Sequence, residues 1–203
     1  SVLIPNSVTS IGSDAFSYSA LTSVVIPNSV TSMGNYAFQS SAITSVVLSS
    51  SLTSISDSAF GNTKSLTSVV IPSGVQSIGT FSFWYSGLTS VTIPNTVTSI
   101  GFNAFSYTKL TRVDIPDSVK TIGSGAFSSN PSLTSIIYCG AQGDLPTAPF
   151  CPADRKAILD AANKAAADKA AADKAARDEQ AAIDRAAAEK KAAADKARIQ
   201  AAQ

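Results

Sequence analysis

The chain has 203 residues and a formal net charge of +1, enough length for one large core or for a repeat array with an appendage. Residues 1–152 carry four basic side chains (Lys64, Lys109, Arg112, Lys120) and five acidic ones (Asp14, Asp57, Asp114, Asp117, Asp144), whereas residues 153–203 carry eleven and nine. So sparse a charge, on a surface of Ser and Thr, excludes a grip on nucleic acid, and no run of 18 apolar residues is present to span a bilayer.

The chain opens at Ser1 in mid-pattern, without Met or a signal peptide, which leads us to expect a processed product or a fragment. An internal repeat starts at once. Ile-Pro recurs at Ile4, Ile26, Ile71, Ile93 and Ile115, and Leu48-Ser49 fills the gap, at spacings of 22 or 23 residues. Ala-Phe follows at Phe16, Phe38, Phe60, Phe105 and Phe127, with Ser82-Phe83 in the fourth copy. Six units and a partial seventh, ending Ile136-Ile137-Tyr138, set the first domain at residues 1–138.

Each repeated residue type has a physical role. In Leu21 to Ile26 the alternation predicts a short strand with Leu21, Val24 and Ile26 inward and Thr22, Ser23 and Val25 outward. Pro27 cannot donate to a ladder and begins a turn with Asn28. Val30 and Met33 add a second inward contact, and Gly34 is expected to let the backbone bend. Ala37 permits close approach of coils, and Phe38 fills the interior. No copy can bury this stripe alone, so stacked copies share one core. The third copy has Ser49 for Pro and Ser56 for Gly, which predicts a local distortion near residues 49–57.

Residues 139–152 read as a terminal cap loop, with Leu145 and Phe150 as plugs for the exposed end of the core. The only two cysteines, Cys139 and Cys151, bracket this loop. A disulfide is the preferred reading, worth roughly 3 kcal/mol for such a loop; it would place the chain in an oxidising, extracellular compartment. The alternative is two reduced cysteines packed as small apolar residues. A metal site is not expected, because His is absent and two thiolates make a poor zinc cage.

Residues 153–203 are dominated by Ala, lack Gly and Pro, and predict a long α-helix of about 75 Å. Its large apolar residues are Ile158, Leu159, Ile183 and Ile199, which no heptad connects. Charged pairs recur at steps that visit all faces, so the helix reads as a spacer or as an element that oligomerises through Ala surfaces.

The motif Ile-Pro-x-x-Val-Thr-Ser-Ile-Gly-x-x-Ala-Phe, followed by Leu-Thr-Ser-Val, resembles the Treponema pallidum type of leucine-rich repeat, the BspA-like family, over residues 2–138. The resemblance implies a repeat solenoid, a right-handed coil with short parallel β-strands, here followed by a long α-helix. It also implies location on a bacterial cell surface or outside the cell, binding of host or matrix components, and no enzymatic activity. The family often has Cys after Ala-Phe; the two 23-residue copies have Thr63 and Asn130 there.

Catalytic, cofactor and metal sites are not expected. Without His, Ser-His-Asp and Cys-His mechanisms are excluded, and no phosphate-binding glycine loop is present. Asp114 and Asp117 stand where other copies have Thr92 and Asn95, and with Lys109, Arg112 and Lys120 they form the one charged patch of the repeat region.

Three surfaces are candidates for interaction. An outward column runs Val25, Val47, Val70, Thr92, Asp114 and Ile137, with three adjacent valines as an exposed apolar ladder. A second column runs Thr9, Thr31, Thr53, Gln76, Thr98 and Lys120, a solvated edge, a flat face for ice or glycans, or an assembly face. Tyr18, Tyr85 and Tyr107 share the position two after Phe, with Trp84 beside them, and read as turn packing or contact anchors. The expected partners are a protein or glycan ligand, or copies of the chain itself. Adhesion through the solenoid is the leading function, with assembly into a filament or layer as the alternative.

Overall fold

From the second coil on, the Leu-x-x-Val-x-Ile stretch of each copy, or its Ile and Leu equivalents, holds a short strand whose inward side chains are apolar, and successive copies stack as coils of a β-solenoid. A computed structural model describes residues 2–139 and Lys164. The chain divides into two compact units, residues 1–166 and 167–203, the second wholly outside the described residues. The expected cap residues Leu145, Phe150 and Cys151 and the helix expected over 153–203 also lie outside them, Lys164 excepted.

Each coil carries two short strands. The first set is β1 (Val2–Leu3), β3 (Ser23–Val25), β5 (Ser45–Val47), β7 (Ser68–Val70), β9 (Ser90–Thr92), β11 (Arg112–Asp114) and β13 (Ser135–Ile137). The second is β2 (Ser10–Ile11), β4 (Ser32–Met33), β6 (Ser54–Ile55), β8 (Ser77–Ile78), β10 (Ser99–Ile100) and β12 (Thr121–Ile122). All paired neighbours are parallel and in repeat register, for example Val24 with Val46 and Ile78 with Ile100. Between the two sets, the N–H three residues after each Pro donates to the Pro carbonyl: Val8 to Pro5, Val30 to Pro27, Val75 to Pro72, Val97 to Pro94 and Val119 to Pro116, at 3.0–3.1 Å. That turn is the expected one.

The core is a set of columns. Ile4, Ile26, Leu48, Ile71, Ile93 and Ile115 are all buried, and Tyr138 continues the column with its hydroxyl donating to the Val119 carbonyl at 3.1 Å. Phe16, Phe38, Phe60, Phe83, Phe105 and Phe127 form one continuous stack, with centroids 5.1–5.5 Å apart and planes within 9° of parallel. Beneath it runs a polar column three residues on. Ser19, Ser41, Thr63 and Thr108 each donate a hydroxyl to the carbonyl of their own Phe. Asn130 does more: its amide donates to the Phe127 and Phe105 carbonyls, and its oxygen accepts from the Thr108 N–H and hydroxyl. Small polar side chains thus satisfy backbone oxygens that the core would otherwise leave bare.

The Ala-Phe turn is built from left-handed backbone. Two residues per coil, two before and two after the core Phe, have positive φ: Asp14 and Tyr18, Tyr36 and Ser40, Ser58 and Asn62, Phe81 and Tyr85, Asn103 and Tyr107, Gly125 and Ser129. Their N–H groups, with that of the Phe between them, point along the stack. In the fourth coil Phe81, Phe83 and Tyr85 donate to Phe102, Ala104 and Ser106 of the next, at 2.8–2.9 Å.

The glycine that recurs in the repeat has a different role from the one expected. Gly34 lies outside the positive-φ set; a Cβ there would sit 2.3 Å from the Ser13 nitrogen, and at Gly101 and Gly123 the equivalent distances to Thr80 and Phe102 are 2.5 and 2.4 Å. Coil crowding, not bending, demands glycine. The third coil departs here. Gly34, Gly79, Gly101 and Gly123 each donate an N–H to the preceding coil (to Ile11, Ile55, Ile78 and Ile100), but at Ser56 the side-chain hydroxyl donates to Met33. The second ladder breaks at that point, β4 pairing only β2 and β6 only β8 among the described strands. Ser49, replacing Pro, is buried and donates its hydroxyl to the Val30 carbonyl at 2.6 Å.

Candidate functional site

The strand-face column keeps its register but not its expected exposure. Val25 pairs with Val47, Val70 with Thr92, and Asp114 with Ile137. Val25, Val47, Val70, Thr92 and Asp114 are half-buried, and Ile137 is buried. Parallel neighbours one coil apart cover each other's flanks, so the valines form a ridge rather than an open apolar face. The column from Thr9 to Lys120 is exposed throughout, and Thr31 and Thr98 turn their hydroxyls onto the carbonyls of Thr9 and Gln76. A further threonine column has six members: Thr22, Thr44, Thr67, Thr89, Thr111 and Thr134. Thr44, Thr89 and Thr134 donate their hydroxyls to the coil before, at 3.0–3.3 Å. In the charged patch, Lys120 is turned back onto the Asp117 carbonyl at 2.8 Å, and Arg112 is exposed.

The Ala-Phe edge is where the structure concentrates large side chains. Seven aromatic residues among those described are neither in the phenylalanine stack nor at Tyr138: Tyr18, Tyr36, Phe81, Trp84, Tyr85, Phe102 and Tyr107. All seven lie on this edge. Trp84, Tyr85 and Tyr107 come together as expected, with centroids 5.5 Å apart for Trp84–Tyr85 and 5.7 Å for Tyr85–Tyr107. Tyr18 stays apart in the first coil, 78% exposed and in no ring contact among the described residues.

Two residues missed in the sequence complete the cluster. Phe81 meets Trp84 edge-on at 6.0 Å and Phe102 edge-on at 5.3 Å. The signal was available: aligning the copies puts Phe102 one coil beyond Thr80, and Phe81 at the left-handed position held by Ser58 and Asn103. Lys64, on the extra-residue turn of the third coil, holds its ammonium 5.2 Å from the Tyr85 ring centre, a cation–π contact. Phe102, Tyr85 and Tyr107 are 45%, 42% and 51% exposed. The result is a continuous strip of five rings over the fourth and fifth coils, with a cation at one end.

No group of three or more His, Cys, Asp or Glu is placed to hold a metal among the described residues. No helix among them is long and apolar enough to cross a membrane. Cys139 ends the described solenoid, and Cys151 lies outside the described residues.

The family model for the BspA type leucine rich repeat region matches six copies, over residues 1–85 and 53–146. No curated protein matches the sequence. Among solved structures, a leucine-rich repeat protein from Bacteroides ovatus is 28% identical with a TM-score of 0.65, covering 68% of this chain and 37% of its own. The pneumococcal vaccine antigen PcpA is 26% identical with a TM-score of 0.56, over 70% of this chain and 40% of its own. A leucine rich cell surface protein from Faecalibacterium prausnitzii is 33% identical with a TM-score of 0.49, over 70% and 44%. The chain therefore spans less than half the length of each of these structures.

Proposed function

Because the chain belongs to the BspA-type leucine-rich repeat family, a solenoid family that is typically non-catalytic, we propose that it is a binding module that works by adhesion outside the cell or on its surface. The observation that carries this reading is the strip of five aromatic rings. Monomeric folds rarely gather exposed rings on one edge without a contact to make, and Trp and Tyr are enriched among residues that dominate binding energy. The location is supported by the similarity to a vaccine antigen and by the expected Cys139–Cys151 disulfide. Residues 153–203 act in this reading as the stalk.

The test is saturable binding of the full chain to a panel of immobilised extracellular-matrix proteins and to epithelial cells. Binding to none of them would remove the adhesion reading. A non-reducing peptide digest, read by mass spectrometry, checks the disulfide: a Cys139–Cys151 cross-link is expected, and free thiols at both would sink that part.

A further inference from the structure

The strip of rings has features that select a partner. Three of its residues, Phe81, Tyr85 and Tyr107, stand at left-handed positions with φ of 54–56°. Bulky side chains rarely adopt that backbone; Ser58, Asn103 and Gly125, or Ser40, Asn62 and Ser129, fill the same two positions in other coils, while Tyr36 and Tyr18 put rings there in the second and first coils, outside the strip. Nothing in the coil itself requires rings there. Phe102 likewise stands where its neighbours have Thr80 and Ser124, and Trp84 where they have Gly61 and Ser106. Unfavourable placements repeated in adjacent coils and converging on one surface patch point to function.

The geometry of the rings narrows the ligand. Adjacent planes meet at 79°, 87°, 44° and 40°. The rings form inclined facets, suited to apolar side chains that project from a polypeptide. Charge narrows it further. Lys64 lies against Tyr85, and exposed Lys109 follows Tyr107 by two residues on the equivalent turn. On the Phe81 side the nearby carboxylate, Asp57, is engaged by the Thr80 N–H at 2.8 Å. Lys64 therefore sits at the tyrosine end of the strip, where an anionic group would meet it, and Lys109 stands exposed two residues beyond Tyr107.

Resting on the binding-module reading above, we propose that Phe81, Trp84, Tyr85, Phe102 and Tyr107, with Lys64 and Lys109, form the contact site for a partner polypeptide presenting an apolar side chain beside a carboxylate. The rings take the apolar side chain and the ammonium groups the acid, so affinity comes from the former and orientation from the latter.

The experiment is selection of a displayed random-peptide library on the immobilised full chain, followed by anisotropy titration of the selected peptides. The variants copy other coils: Trp84→Ser with Tyr85→Ser and Tyr107→Ser, as at Ser106, Ser40 and Ser129, and separately Lys64→Gln with Lys109→Gln. Because these residues already serve in folded coils, loss of binding is not loss of fold, which circular dichroism verifies. Selected peptides are expected to combine an acidic and an apolar residue, to bind the triple variant at least about tenfold more weakly, and the double lysine variant about threefold more weakly with a flatter salt dependence. Peptides that bind all variants equally would overturn the site while leaving the binding module standing. An empty selection overturns the polypeptide assignment, and so does a carbohydrate array whose signal vanishes in the triple variant. Failure of the matrix and cell panel as well would remove the broader reading.

Discussion

The third and fifth coils make the same turn from different residues. In the fifth, Pro94 opens the turn and Gly101 passes so close to Thr80 that no side chain fits. In the third, Ser49 and Ser56 replace both residues, and their hydroxyls bond to the Val30 and Met33 carbonyls of the coil before. One coil is held by backbone and shape, the other in part by side-chain hydrogen bonds, and the second ladder parts between β4 and β6 as a result. The phenylalanine stack runs through both without interruption. Interior volume is thus the strict demand of the repeat, while the glycine and proline positions can be met by more than one chemistry.

Substitutions can break this comparison or sharpen it. The largest effect is expected inside: Phe60→Ala and Phe105→Ala should each lower stability by about 3–5 kcal/mol in urea unfolding, equally in the two coils. Unequal losses would show that the third coil is already loosened at its centre. Next comes Gly101→Ser, which places a Cβ 2.5 Å from the Thr80 nitrogen and should cost about 1–3 kcal/mol through overpacking. A smaller, opposite effect is expected at Ser82, whose hydroxyl is buried with no hydrogen-bond partner where other copies have Ala. There Ser82→Ala should raise stability by about 1 kcal/mol by removing a desolvated hydroxyl. Ser56→Gly should change stability least, by under about 1 kcal/mol, as the lost hydroxyl bond is offset by a restored backbone donor. If Ser56→Gly proved as costly as Gly101→Ser, the two coils would be following one rule after all.

Much of this was legible in the sequence, and the exceptions share a cause. Ile-Pro turns, inward Val and Ile, stacked Phe and strand register all follow from side-chain type at fixed spacing, which is what a repeat displays. The pairing of Val25 with Val47 and of Asp114 with Ile137 was fixed once the 22- and 23-residue offsets were known. The left-handed positions were hidden because Asp, Tyr, Ser, Asn and Phe occupy them, and only Gly125 carries the usual signal. Gly34 was misread for the same reason: crowding between coils is a distance across the stack, invisible along one copy. The valine column was expected to be open, but mutual cover between neighbouring coils leaves it half-buried. At the site, Trp84, Tyr85 and Tyr107 were found by position, whereas Phe81 and Phe102 needed the copies laid side by side.

The hydrogen bonds between coils carry a consequence for how such a chain changes over generations. Each Phe N–H meets the residue before the next coil's Phe, from Phe16 to Ala37 through Phe105 to Ala126, at 2.7–2.8 Å. At this turn every junction is therefore interchangeable with its neighbours. Duplication or deletion of one whole coil leaves both new junctions already matched, while any fraction of a coil puts donors opposite donors and apolar side chains into water. The chain can lengthen or shorten in whole-coil steps at little cost to folding, and a patch of surface residues can be carried along the stack as a unit.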